Sequence, residues 1–118
     1  RAAQDKYPHK RIWAVWQPHT YSRTTALFDR FTEAFSEADE VIVTRVFAAR
    51  EPEPEGFSEQ SLVDAMHHPR ARFISSLEGS VHHLIENLRP GDVVIVLTAG
   101  DAIQINERLE EYFRALEE

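Results

Sequence analysis

The sequence predicts an α/β domain built on an open parallel β-sheet, and three observations carry that prediction. Short apolar runs rich in β-branched residues alternate with longer segments whose apolar residues recur at helical spacing. The runs are continuous rather than alternating with polar residues, as strands covered on both faces require. Between them lie connections long enough for a helical crossover, which means parallel pairing and right-handed units.

The elements follow in order. Ile12-Trp13-Ala14-Val15-Trp16 is the first strand. Leu27, Phe31, Ala34 and Phe35 then form an i, i+4, i+7, i+8 stripe, predicting a helix from about Thr24 to Ala38. Val41-Ile42-Val43 is the second strand. Phe47 to Phe57, centred on Glu51-Pro52-Glu53-Pro54-Glu55-Gly56, reads as a mobile acidic surface loop rather than a domain boundary. Ser58 caps a shorter helix carrying Leu62, Val63 and Met66. Phe73-Ile74 is taken as the third strand mainly from its position. Ser75 and Glu78 read as a capping box before Val81, Leu84, Ile85 and Leu88, and Pro90-Gly91 closes that helix. Val93 to Leu97 is the fourth strand, and Asp101 with Gln104 repeats the capping pattern before Ile105, Leu109, Tyr112 and Leu116.

This alternation describes a Rossmann-like sheet of about four strands with helices on both faces. Ligands of such sheets bind beyond the carboxyl ends of the strands, where strand order reverses. With the order 3-2-1-4, strands 1 and 4 flank that point. The loops Gln17–Thr24 and Thr98–Asp101 then face one crevice.

Composition narrows the function classes. The 118 residues fit one domain, 1–118, and include no cysteine, which removes disulfides and thiolate metal sites and suits a cytoplasmic setting. Thirteen Lys and Arg against twenty Asp and Glu give a net charge of −7, a field that repels nucleic acid and anionic membrane. No apolar run approaches the roughly 20 residues of a membrane span, and the start lacks the apolar stretch of a signal peptide. Met66 is the only methionine, and residues 1–6 read as the end of a helix closed by Pro8. The expectation is a domain taken from a longer chain.

The first crevice loop, Gln17-Pro18-His19-Thr20-Tyr21-Ser22-Arg23-Thr24, holds an imidazole, a phenol, three hydroxyls and a guanidinium. Arg23 offers a bidentate fork for a carboxylate or phosphate, and the N–H groups of the following helix would add positive potential. The plainer reading is that Ser22 or Thr24 caps the helix and Arg23 is solvated. In the second loop Gly100 permits close backbone approach and Asp101 caps, so Gln17, Gly100 and Asp101 are candidate crevice-wall residues. The pairs His67-His68 and His82-His83 invite a metal, but adjacent helical histidines diverge by about 100° and no acid stands at ligand spacing. His82 and His83 read as helix-surface residues. No G-x-x-x-x-G-K-[ST], G-x-S-x-G or G-x-G-x-x-G motif occurs, so no catalytic residue and no metal site is assigned.

The Gln17–Thr24 motif resembles that of the Mur ligases. So do Ala26-Leu27-Phe28, the segment from Phe35 to Val43, and the segment from Gly91 to Asp101, and the likeness runs from about Tyr7 to Glu111. It implies the C-terminal, amino-acid-presenting domain of a three-domain ligase whose N-terminal and central domains lie outside this chain. In such a ligase ATP, with magnesium, phosphorylates the carboxyl of UDP-N-acetylmuramate, and the amine of L-alanine attacks the acyl phosphate. The resemblance gives Arg23 the alanine carboxylate and places His19 and Tyr21 in the same pocket. Thr20 stands where many members carry a second arginine, a departure that leaves more of the binding to Arg23. The family's D-D-Y-x-H-H-P signature would lie upstream of Arg1, and His67-His68-Pro69 is not its equivalent. The isolated domain is therefore expected to be inactive. Two alternatives stand beside this reading: a related ligase that recycles murein tripeptide, and a flavodoxin-like module binding a small anion.

Overall fold

The computed structural model describes residues 11–26, 28–48, 50–97, 108–111 and 114–115. Among them the strands are β1 (Ile12–Trp16), β2 (Glu40–Val43), β3 (Ala71–Phe73) and β4 (Val93–Leu97). The helices are α1 (Tyr21–Ala26), α2 (Phe28–Phe35), α3 (Glu59–Met66) and α4 (Leu77–Asn87). Residues 108–111 and 114–115 are helical as well. The sheet order is β3-β2-β1-β4, with every neighbouring pair parallel. This is the order assumed in placing the crevice.

Two central strands explain the continuous apolar runs. Trp13 pairs with Glu40 on one side and Val94 on the other, so β1 is hydrogen-bonded along both edges. All residues of β1 and β2 are buried. Strand pleating sends Trp13 and Val15 to one face, against Val81, Leu84 and Leu109. Ala14 and Trp16 go to the other, against Phe35, Val63 and Met66. There the Trp16 ring lies 4.6 Å from Phe31 and 5.2 Å from Phe35. Phe31 and Phe35 of the helical stripe read from the sequence thus cover Trp16.

Boundaries moved in three places. In place of one helix from about Thr24 to Ala38, α1 starts at Tyr21 and α2 ends at Phe35. The third strand is Ala71–Phe73, and Ile74 only extends its ladder by donating to Val43 O at 2.9 Å. At α4 the cap is Ser76 rather than Ser75, with its hydroxyl accepting from Gly79 N–H at 2.9 Å. A Cβ on Gly79 would come within 2.9 Å of that hydroxyl, so glycine at this position lets the cap close. Glu78 consequently completes no capping box and instead grips Arg108 through both carboxylate oxygens. His83 is half-buried, edge-on to Trp13 at 5.8 Å, while His82 is exposed beside Glu86. Burial, with Arg72 nearby, holds the His83 imidazolium below its usual range. Ser58 caps α3 as expected, through Ser61 N–H at 3.1 Å. Asp101, Gln104 and residues 1–6 lie outside the described residues.

The end of the sheet away from the crevice is held by buried carboxylates. Asp92 accepts from Arg11 Nη2 at 2.8 Å, Arg11 Nε at 3.1 Å, Trp13 Nε1 at 3.1 Å and Arg89 N–H at 3.0 Å. Glu40 faces Arg70 at 3.1 Å and Arg72 at 3.6 Å. His68 accepts Arg70 N–H on Nδ1 at 3.0 Å, so its Nε2 carries the proton donated to Ala38 O at 2.8 Å. The His67-His68-Pro69 segment is a structural joint between two turns.

Candidate substrate-binding site

The site grows out of the last residues of β1. Gln17 N–H donates to Leu97 O at 3.0 Å, which carries the β1–β4 pairing one step beyond the strands. Phe47 N–H donates to Pro18 O and Thr20 N–H to Phe47 O, both at 2.8 Å, and His19 bridges to Phe47 in parallel. The loop is therefore an extension of the sheet that fixes its side chains from the backbone. Gln17 and Pro18 are buried beneath it.

Thr20 turns the chain, at φ +58°, into α1. Its hydroxyl accepts Arg23 N–H at 3.2 Å, and its carbonyl accepts Thr24 N–H and the Thr24 hydroxyl, the latter at 2.6 Å. Thr20, not Ser22 or Thr24, is thus the capping side chain. A second cap arrives from the acidic loop. Glu51 Oε1 accepts Tyr21 N–H at 2.9 Å and Ser22 N–H at 3.1 Å, and Oε2 accepts the Ser22 hydroxyl at 2.6 Å. The Ser22 hydroxyl, then the Ser22 and Tyr21 N–H groups and His19, hold the Glu51 carboxyl below its usual range against the opposing pull of desolvation.

This corrects one expectation. The first N–H groups of the helix already serve Thr20 and Glu51, so they are not open donors for an incoming anion. What remains is side chains. Arg23 is the third residue of α1 and exposed, and among the described residues its guanidinium forms no hydrogen bond or ion pair. The His19 ring stacks on Phe47 at 5.6 Å and 14°, with Nδ1 buried and without a partner among the described residues. Phe47 is 38% exposed. Tyr21 is buried edge-on to Phe57 at 4.9 Å, and burial first, then Glu53 and Glu59, raises its phenol. A cleft of about 240 Å³, lined in part by Gln17, Thr44, Arg45, Phe47 and Ser75, opens beside this cluster.

The structure thus brings together Gln17, His19, Thr20, Tyr21 and Arg23 at the carboxyl end of β1. Gly100 and Asp101 lie outside the described residues. Phe47, Phe57 and Glu51 were missed. A β-bridge to the loop's backbone has no sequence signature, and nothing in Glu51-Pro52-Glu53-Pro54-Glu55 marks the first acid above the others. Among the described residues no group of three or more His, Asp or Glu could hold a metal ion.

An all-parallel 3-2-1-4 sheet is a Rossmann-like architecture, in which ligands bind beyond the carboxyl ends of the strands where strand order reverses, here beside β1. The chain belongs to the Mur ligase family, matching the description "Mur ligase, glutamate ligase domain" over residues 1–100. Among its relatives is the UDP-N-acetylmuramate–L-alanine ligase of Alkaliphilus metalliredigens strain QYMF, 43% identical over 109 residues, covering 91% of this chain and 24% of the relative. The ligase of the same name from Caldanaerobacter subterraneus subsp. tengcongensis is 41% identical over 112 residues, 92% of this chain and 24% of the relative. The chain therefore spans about a quarter of the length of these curated relatives. A murein peptide ligase from Psychrobacter arcticus 273-4 shares the fold, with a TM-score of 0.68 and 19% identity over 93% of this chain and 23% of that one.

Proposed function

We propose that this chain is the C-terminal, amino-acid-presenting domain of an ATP-dependent ligase that joins L-alanine to UDP-N-acetylmuramate in the synthesis of peptidoglycan precursors. The supporting observation is identity of 41–43%, over nine-tenths of the chain, to two bacterial ligases of that name. The likeness to the murein peptide ligase, at 19%, speaks for the fold and not for a recycling substrate.

In this reading Arg23 takes the alanine carboxylate on its guanidinium fork, and His19, Thr20 and Tyr21 border the pocket. The domain contributes orientation: a carboxylate held at a fixed point aims the amine at the activated carboxyl. ATP with magnesium supplies that activation. On this reading both are held by other segments of the parent chain. The isolated domain is inactive on this view. The setting is cytoplasmic, where nucleotide substrates reside; no helix among the described residues is long and apolar enough to cross a membrane.

The test is Arg23→Ala in the full-length ligase. Loss of a charged hydrogen bond, about 1.5–3 kcal/mol, raises the KM for L-alanine about tenfold or more. An unchanged KM for L-alanine rejects the assignment of Arg23.

A further inference from the structure

The acidic loop that the sequence presents as a surface feature meets the site through Phe47, Phe57 and Glu51, and of these Glu51 is the charged one. Its carboxylate makes three hydrogen bonds to two consecutive residues, Tyr21 and Ser22, across nearly thirty residues of sequence. The residue before it, Arg50, holds φ +77°, a left-handed backbone that a non-glycine side chain adopts at a cost. The loop is thus turned so as to deliver this side chain. Arg23 follows directly in the same helical turn, and its own N–H is fixed by Thr20.

We propose that Glu51 is the positioning residue of the Arg23 site: a resident carboxylate that seals the first turn of α1, holds that turn in place beneath Arg23, and leaves the substrate carboxylate to the guanidinium alone. The proposal rests on the reading of Arg23 given above. Its physical basis is that the first backbone N–H groups of a helix have no partner within it, so a short helix frays there unless a side chain accepts them. Glu51 is that acceptor for Tyr21 and Ser22, and so keeps a short helix from fraying at the residue that must bind.

A different arrangement would have Glu51 as a displaceable plug, occupying the place the substrate carboxylate takes. The two make opposite forecasts. Removing a plug lowers the KM for L-alanine, whereas removing a strut raises it.

The experiment is steady-state kinetics on the full-length ligase carrying Glu51→Ala, Glu51→Gln, Arg23→Ala and the double variant Glu51→Ala/Arg23→Ala. Glu51→Ala is expected to raise the KM for L-alanine about fivefold, with kcat and the KM for ATP within about twofold of the parent. Glu51→Gln keeps an oxygen for both N–H groups and stays within about twofold of wild type, because the position and not the charge is what the amide restores. In the Arg23→Ala background Glu51→Ala adds no further rise, since a residue acting through Arg23 has nothing left to orient. If Glu51→Ala fails to fold, Ser22→Ala removes one bond of the clamp and is expected to raise the same KM about twofold.

A KM for L-alanine that falls or stays constant in Glu51→Ala overturns the proposal. So does an undiminished effect of Glu51→Ala in the double variant, or a Gln variant as impaired as the Ala variant. Should Arg23→Ala leave the KM for L-alanine unchanged, the assignment of Arg23 on which the proposal rests fails with it. A rise with Arg23→Ala but none with Glu51→Ala removes Glu51 alone.

Discussion

Thr20 shows how a single residue is asked for two incompatible things. Its backbone must sit at φ +58°, where a β-branched side chain is disfavoured by about 1–2 kcal/mol. Its hydroxyl must also accept Arg23 N–H as the cap of α1. Asparagine meets both demands, because its side chain caps well and it enters the left-handed region readily. Thr20→Asn is therefore expected to stabilise the chain by roughly 0.5–1 kcal/mol, seen as a higher urea midpoint with an unchanged slope. Thr20→Ala keeps the strain, loses the cap, and should cost about 1 kcal/mol. Equal midpoints for the Asn and Ala variants would show that capping by Thr20 contributes nothing. The sequence advertised this loop through its density of polar groups, and the structure places Gln17, His19, Thr20, Tyr21 and Arg23 at the carboxyl end of β1. The sequence did not reveal which hydroxyl caps, because Thr20, Ser22 and Thr24 are all competent and only the turn geometry chooses.

At the scale of elements, the joint between β1 and β4 depends on Asp92. This carboxylate collects Arg11, Trp13 Nε1 and Arg89 N–H at the foot of both strands and is 7% exposed. Burial pushes its pKa upward, and the hydrogen bonds from Arg11, Arg89 N–H and Trp13 outweigh that push, so the net direction is down. A depressed carboxyl stabilises the fold above its unfolded value of about 3.8 and loses that contribution as pH falls through the lower folded value. Asp92→Ala should cost about 2 kcal/mol at pH 7, and the gap to wild type should close as urea unfolding is repeated toward pH 2. A gap independent of pH would assign the loss to packing. The turn that delivers Asp92 was legible in part: Pro90-Gly91 reads as a stop, and Gly91 at φ +89° with Asp92 N–H on Arg89 O is how that stop is built. The network itself was not legible, since Arg11 and Asp92 are 81 residues apart.

For the whole molecule, stability resides in two apolar layers on either side of β1 and β2. Leu84 is fully buried in one of them, with Trp13, Val15 and Ile42. Leu84→Ala is expected to cost about 2–5 kcal/mol through lost transfer energy and an unfilled cavity, measured by urea unfolding. A cost below about 1 kcal/mol would mean that the layer collapses to fill the space. The sequence by itself determined the layers, because continuous β-branched runs and 3.6-residue stripes are local patterns that suit only strands and helices packed face to face. Right-handed crossovers limit the possible strand orders without choosing among them, so 3-2-1-4 was an assumption that the tertiary structure bears out. The sequence also supplied the Gln17–Thr24 motif and, through it, the family. Only the tertiary structure decided that Glu51 seals α1, that Phe47 backs His19, and that Asp92 ties Arg11. The physical reason is common to all three. Each is a contact between side chains or backbone edges that lie far apart in the chain, where short-range periodicity carries no information and three-dimensional proximity is the only selector.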